Sequence, residues 1–381
     1  MEEMGKRDGV LDKRKNRSRQ AMDIWEKEER RNMKFPEKQE RNSSLELLRI
    51  IGMMAIIGLH YFNGNMGGAA TYAIYPTPQW WINQFFTSAF YPLVNCFVLI
   101  SGFFMIISTR LRLRKAVELV ILTAFYGVVS YAVGVTMGQE LSAKRLFFAL
   151  FPFFQGRRWF VETYIILLFF APFISRLVQT LSKRNYQILL LAQLGFFSLW
   201  PTLGLSAPLL DGGYGITNFF TLYLIGGYIR LWGKDSRTIK TITKGKAISL
   251  YIICILGAFA ASYFINPFSY AYINNIVAAV AMFLLFLQID LKSLGINELS
   301  KYVFDVYFLH SDLNSCALLF EWLLRCSAFW TSLWIIPHLF LSIVVIFILC
   351  TGIAVCRKKL FSRTIDHWLD RWDKLNRPIN I

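Results

Sequence analysis

RNSSLELLRIIGMMAIIGLHYF, residues 41–62, decides the class of this chain. It is an apolar run long enough to enter a bilayer, yet it carries Glu46, Arg49 and His60. A charge at bilayer depth costs several kcal/mol or more, so such groups face a partner, a cavity or a substrate. At about 100° per residue, the step from Arg49 to His60 returns to within roughly 20° of its starting direction. Glu46, one turn before Arg49, falls on nearly the same stripe. The two basic groups are about 16 Å apart along the axis, roughly half a hydrocarbon thickness. One polar stripe therefore runs from one membrane face towards the other.

Composition extends that reading to the whole chain. Of 381 residues, 55% are hydrophobic and 16% aromatic, and only 17% are charged, against about a quarter in soluble domains. The expectation is an all-α polytopic integral membrane protein with about ten transmembrane helices. The net charge of +17 could suit a nucleic-acid partner, but the basic residues are scattered between apolar segments, as positive charge in cytoplasmic loops is. No nucleic acid is expected. The six cysteines form no CxxC or zinc spacing, so neither a disulfide framework nor a metal site is expected.

Three regions follow: a charged cytoplasmic tail over 1–43, a membrane domain over 44–357 and an amphipathic cytoplasmic tail over 358–381. At about 20 apolar residues per span, the spans are read as 45–62, 80–108, 115–137, 159–180, 186–204, 216–232, 247–265, 270–289, 303–324 and 331–356. Residues 61–109 contain no Lys or Arg, whereas Arg110, Arg112, Arg114 and Lys115 cluster in the next connection. Later basic groups recur after spans four, six, eight and ten. By the positive-inside rule both termini are cytoplasmic, in a multi-pass plasma-membrane protein. Glu46 and Arg49 then lie near the inner face and His60 near the outer one.

The cluster at 110–115 reads either as a topology anchor or as a site for a polyanion such as cofactor phosphates. The run RLFFALFPFFQG, residues 145–156, is too short to cross and is expected to be re-entrant or interfacial. Arg157 and Arg158 stand where positive charge is depleted, which suggests contact with an anionic or sugar substrate; Trp159 and Tyr164 beside them also suit an interface. A second polar constellation falls in span nine, where Asp305, His310, Asp312 and Asn314 interrupt an apolar run. The tail TIDHWLDRWDKL, residues 364–375, is amphipathic and expected on the inner membrane surface.

There is no GxSxG elbow, Walker loop, dinucleotide fingerprint or HExxH. What remains is histidine with carboxylates and arginines, a set suited to proton transfer. A proton-coupled transporter or exporter and an acyl-transferring enzyme both use such a set. A transporter should show repeated, broken helices in two halves, and spans one and nine do not resemble each other. A sensor or anchor domain would leave the Arg49–His60 stripe unexplained.

The opening stretch resembles the first helix of the membrane acyltransferase 3 family, in which an Arg is followed after ten residues by His, here Arg49 and His60. VNCFVLISGFFMI resembles the family's FxxxSG segment through Phe97, Ser101 and Gly102. RWFVETYIILLFFAPFI resembles its WF…Y…P helix through Trp159, Phe160, Tyr164 and Pro172. ITNFFTLYLIGGYIR and FDVYFLH resemble the YLIGxYIR and FxxYLxH spans, the latter with Tyr307 and His310. Glu162 and Asp305 depart from the pattern.

The resemblance implies transfer of an acyl group, usually acetyl, from acetyl-CoA or another acyl-CoA to a hydroxyl of an envelope glycan or lipid-linked sugar. It implies His60 as base or transient acyl carrier, Arg49 as the cation orienting the thioester or its oxyanion, and Glu46 as the partner of Arg49. Arg110, Arg112, Arg114 and Lys115 would bind the CoA phosphates. Tyr307, His310, Trp159, Arg158 and Tyr164 are placed in the acceptor region. Membrane lipids and the acceptor are the implied partners; the acceptor's identity, the acyl length and any homo-oligomer stay open.

Overall fold

The computed structural model describes residues 41–151, 153, 158–205 and 211–373. Most of the charged N-terminal tail, Arg157 and the last residues of the C-terminal tail lie outside them. The described residues form helices and no strand. In chain order these are α1 (Ser43–Phe62), α2 (Pro78–Met105), α3 (Leu113–Thr136), α4 (Ala143–Leu150), α5 (Trp159–Gln179), α6 (Lys183–Leu194), α7 (Ile216–Trp232), α8 (Lys244–Ala261), α9 (Ile273–Leu287), α10 (Val303–Ser311), α11 (Leu313–Ala317) and α12 (Ile335–Asp373).

Six helices are long and apolar enough to cross a membrane: α1, α2, α3, α5, α8 and Ile335–Phe361 of α12. All ten expected segments coincide with helix, but four fall short of that measure. Helix α6 passes into a π segment at Gly195–Leu199, α7 has 17 residues and α9 has 15. The ninth segment departs most. It is broken at Asp312, whose backbone is extended (φ −84°, ψ 143°), and continues as α11 and a second π segment, Leu318–Leu323. The reason is local: Asp312 gives its carboxylate to Arg158 at 2.6 Å and to the Ser130 hydroxyl.

Helix α1 begins where the sequence supplies hydrogen-bonding side chains. The Asn42 side-chain oxygen Oδ1 accepts from Leu45 N at 3.1 Å, capping one of the otherwise unpaired amides of the first turn. Ser43 and Ser44 accept the backbone N–H groups of Ser293 and Leu291. The same three polar residues thus start the helix and tie it to the 289–293 segment. Helix α2 runs antiparallel beside it: Gly52 faces Phe97 and Gly58 faces Phe90, each too closely for a Cβ.

The tightest crossing joins α2 to α7. A Cβ on Gly102 would lie 2.2 Å from the Tyr223 carbonyl oxygen, and one on Gly226 would lie 2.2 Å from that of Leu99. Helices that share an apolar solvent gain most from close backbone approach, which only small residues permit. Backbone carbonyls cannot rotate out of the way as a side chain could.

The long C-terminal helix continues through Asp373 as one element of 39 residues, about 58 Å at 1.5 Å per residue. The segment expected along the membrane surface is therefore, as far as Asp373, an extension of α12. It lies antiparallel to α3, with Phe361 packed on Phe125 at 5.6 Å and Asp370 paired with Arg114 at 3.3 Å. Deeper along the same contact, Arg357 Nη2 is 2.9 Å from Asp305 Oδ1, and its Nε donates to the Tyr126 hydroxyl at 3.1 Å. Tyr126 donates in turn to Asp305 at 2.7 Å. Both charged side chains are nearly buried, and together they pin α10 between α3 and α12.

Two stability predictions follow from these contacts. Gly102→Leu and Gly226→Leu should each sharply lower the thermal midpoint of the detergent-solubilised protein, whereas Gly257→Leu, where a Cβ would meet nothing within 4 Å, should leave it nearly unchanged; equal midpoints for all three would contradict the crossing. Removing one partner of the buried ion pair, as in Asp305→Leu, should cost about 3 kcal/mol or more, and Asp305→Leu with Arg357→Met should recover much of it. A melt in which the double variant is no better than the single would show that the pair is not coupled.

Candidate active site

His60, in the last turn of α1, borders a cavity of about 450 Å³. Met53 and Ile56 carry the α1 face of this cavity down one stripe from His60, and Asn83 and Thr87 line it from α2. Trp159, Tyr214, Tyr270 and Tyr91 supply an aromatic wall, in which Trp159 stacks on Tyr270 at 5.2 Å and Tyr270 on Tyr91 at 4.1 Å. Phe304, Tyr307 and Ser311 bring α10 to the same space. The cavity reaches the α1–α2 connection through exposed Asn63 and half-buried Met66. Its size, apolar walls and few polar groups are those of a small-molecule site.

The chain's four histidines divide by their hydrogen bonds. His338 is satisfied on both nitrogens, with the Tyr61 hydroxyl 2.9 Å from Nδ1 and the Leu324 carbonyl 3.0 Å from Nε2. It packs flat on Phe329 and has no nitrogen to spare. His367 is exposed on the α12 extension. His60 and His310 are different: their ring centroids are 4.9 Å apart, and each has a buried nitrogen without a partner, Nδ1 of His60 and Nε2 of His310. Buried polar atoms are mostly paired in folded proteins, and here two unpaired ones fall on adjacent rings beside the cavity.

Several expected site residues are brought together here, and others are not. His60, Tyr307 and Trp159 line the cavity, and His310 stands directly behind His60. Glu46 and Arg49 belong to the same helix stripe but do not line it. They pair with each other, Arg49 Nη1 lying 3.0 Å from both Glu46 oxygens. That bond draws the guanidinium towards the start of α1, away from His60. Tyr164 is one helical turn out of place for the acceptor role: its hydroxyl is spent on Ser101 at 3.0 Å.

Arg158 lies apart from the His60 cavity. It is 3% exposed, donates to Asp312 at 2.6 Å and to the Thr123 carbonyl at 2.9 Å, and lies over the Phe308 ring. Its charge is neutralised within the protein, and it borders a separate cavity of about 360 Å³ with Arg145, Gln139 and Asn314. Glu162, which departs from the resembling pattern, accepts the Arg158 backbone N–H at 3.4 Å and so helps to start α5. At the other end of α1, Arg110 and Arg112 are exposed, Arg114 pairs with Asp370, and Lys115 pairs with Glu118 at 3.1 Å and lies over Phe304.

Sequence reasoning missed the aromatic wall of Tyr91, Tyr214 and Tyr270, and the partnership of Arg357 with Asp305. Tyrosines are common at membrane interfaces, and no spacing marks these three as one surface. Arg357 was indistinguishable from Lys358 and Lys359 as a topology anchor.

The cavity offers an imidazole in apolar surroundings with aromatic faces beside it, which can activate a hydroxyl on a ring-shaped substrate. No curated protein and no solved structure matches the chain. A family model described as "Acyltransferase domain" matches residues 42–356, which contain the whole Arg49–His60 stripe, the cavity and α10. The chain therefore belongs to the acyltransferase 3 family and is a membrane acyltransferase.

Proposed function

We propose that the protein moves an acyl group, acetyl in the simplest case, from acyl-CoA to a hydroxyl of a cell-envelope glycan or lipid-linked sugar. The observation that carries this reading is His60, which presents an imidazole to the aromatic cavity on the same stripe as Arg49. In the reaction His60 takes the proton of the acceptor hydroxyl while that oxygen attacks the thioester carbonyl carbon. The C–S bond breaks, and the leaving CoA thiolate recovers the proton from the imidazolium. Every bond and proton is then accounted for without a metal.

Arg49 supplies fixed positive charge to the donor side, released from Glu46 when an anionic ligand competes for it. Arg110, Arg112, Arg114 and Lys115 suit the CoA phosphates, because guanidinium forks match phosphate oxygens. Trp159 and Tyr307, with Tyr214 and Tyr270, suit the C–H faces of a sugar ring, and Asn83 and Thr87 its hydroxyls. With both termini cytoplasmic, as the distribution of Lys and Arg supports, donor and acceptor approach α1 from opposite membrane faces.

Membranes carrying the wild-type protein or His60→Ala are given labelled acetyl-CoA, and label is followed into glycan and lipid fractions. Loss of a general base costs on the order of 10²–10⁴-fold, so His60→Ala should remove transfer while the protein still inserts and accumulates. Arg49→Ala should do the same. Equal labelling in wild type and His60→Ala would overturn the reading; export that stops without any acyl transfer would favour a transporter.

A further inference from the structure

The two orphan nitrogens described above belong to neighbouring rings and are complementary. His310 is fully buried, and its Nδ1 lies 2.6 Å from the Val306 carbonyl oxygen. A carbonyl has no proton to give, so Nδ1 must carry the hydrogen and donate it. The neutral ring is thereby fixed as the Nδ1–H tautomer, and its Nε2 is a bare acceptor with no partner in the structure.

His60 presents the matching need. Its Nδ1 is buried and without a partner, and the ring lies 4.9 Å centroid to centroid from His310, tilted by 44°. The χ2 torsion of histidine is broad, so a turn of the His60 ring can bring its Nδ1 towards the His310 Nε2 while the Val306 bond holds the His310 ring in place. If Nδ1 of His60 carries the hydrogen, both orphans are satisfied by one bond. If Nε2 carries it instead, two acceptor lone pairs face each other and both stay unmet.

We propose that His310 is a positioning residue for His60: it accepts a hydrogen bond from His60 Nδ1–H and so leaves the His60 Nε2 lone pair facing the cavity. The chain of bonds runs from His60 through His310 to the Val306 carbonyl, and α10 carries both of the last two. This assigns His310 to the base and not to the acceptor. Which nitrogen of a histidine is protonated is set by what the other one binds, and here the orienting group is a neutral imidazole. Tyr307, one turn earlier on α10, keeps its place on the cavity wall. The assignment rests on His60 being the base, yet the tautomer it requires is observable whether or not transfer occurs.

The test uses the full chain, labelled with ¹⁵N-histidine and reconstituted in lipid nanodiscs. Four histidines give a spectrum that single substitutions can assign. The expected result is His60 with a protonated Nδ1 and an unprotonated Nε2. In His310→Leu, which has no acceptor, His60 should move to the Nε2–H form favoured by free imidazole; in His310→Gln, whose side-chain oxygen can accept, it should stay largely in the Nδ1–H form. A wild-type His60 in the Nε2–H form overturns the proposal, as does a tautomer that His310→Leu leaves unchanged.

Kinetics give an independent reading. Acyl transfer by His310→Leu should fall 100-fold or more in kcat with KM for acyl-CoA within about threefold, and His310→Gln should restore part of it. Equal kcat in His310→Leu and wild type would overturn the proposal. Absence of transfer by the wild type itself would count against the proposed function, while the spectrum still decides the tautomer.

Discussion

Charge held at membrane depth has to be neutralised nearby, and this requirement shapes the helices more than any single packing contact. Arg158 with Asp312, Arg357 with Asp305, and Arg49 with Glu46 each answer it by pairing. The pairs are not interchangeable. The first breaks the ninth apolar segment, because Asp312 leaves helical geometry to reach Arg158 and Ser130. The second fixes α10 between α3 and α12 through Tyr126. Between these two buried anchors, α10 has only nine residues, and Tyr307 and His310 are held by its short length.

The same requirement explains which polar groups are left for chemistry. A buried ion pair has consumed its own reactivity: lone pairs and protons on both sides are already engaged. His338 is equally spent, though uncharged. A neutral imidazole, by contrast, can sit in an apolar wall with one nitrogen unmet at modest cost, and can accept a charge only when a proton arrives. His60 and His310 are in that condition. The fold therefore separates these paired charges, which hold helices in place, from the imidazole that borders the cavity, His60, and the one behind it, His310.

Much of this was legible in the sequence, for identifiable reasons. Helix periodicity put Arg49 and His60 on one stripe, and Met53 and Ile56 between them line the cavity as that period requires. The cap supplied by Asn42 was not singled out, although its residue type suits the position. Gly102 was named within a resembling motif, and the structure gives it, with Gly226, a steric cause at the α2–α7 crossing. What was illegible depends on pairings between distant segments. Arg158 was singled out because positive charge is depleted in its loop, and its pairing with Asp312, 154 positions away, leaves no mark in the sequence. The ten-span count came from the apolar content of each window, which takes no account of the π segments or of the break at Asp312. Six of the ten windows are helices long and apolar enough to cross; of the other four, α7 and α9 are shorter helices and two pass into π segments.

Helix α1 also sets the distance over which the proposed reaction must work. Arg49 and His60 are separated by about 16 Å along its axis, and the α1 side chains lining the cavity between them are the apolar Met53, Ile56 and Leu59. If donor phosphates are held near the start of α1 and the acceptor hydroxyl near its end, the reacting carbonyl has to cross that gap on a slender tether. An acyl-CoA carries its thioester on a long flexible arm, which suits a narrow apolar passage better than a bulky or charged donor would. Transfer across the membrane would then need no rocking of one half of the protein against the other, as alternating access does. In that arrangement the acyl group, and not the protein, would make the crossing, past the apolar side chains of Met53, Ile56 and Leu59.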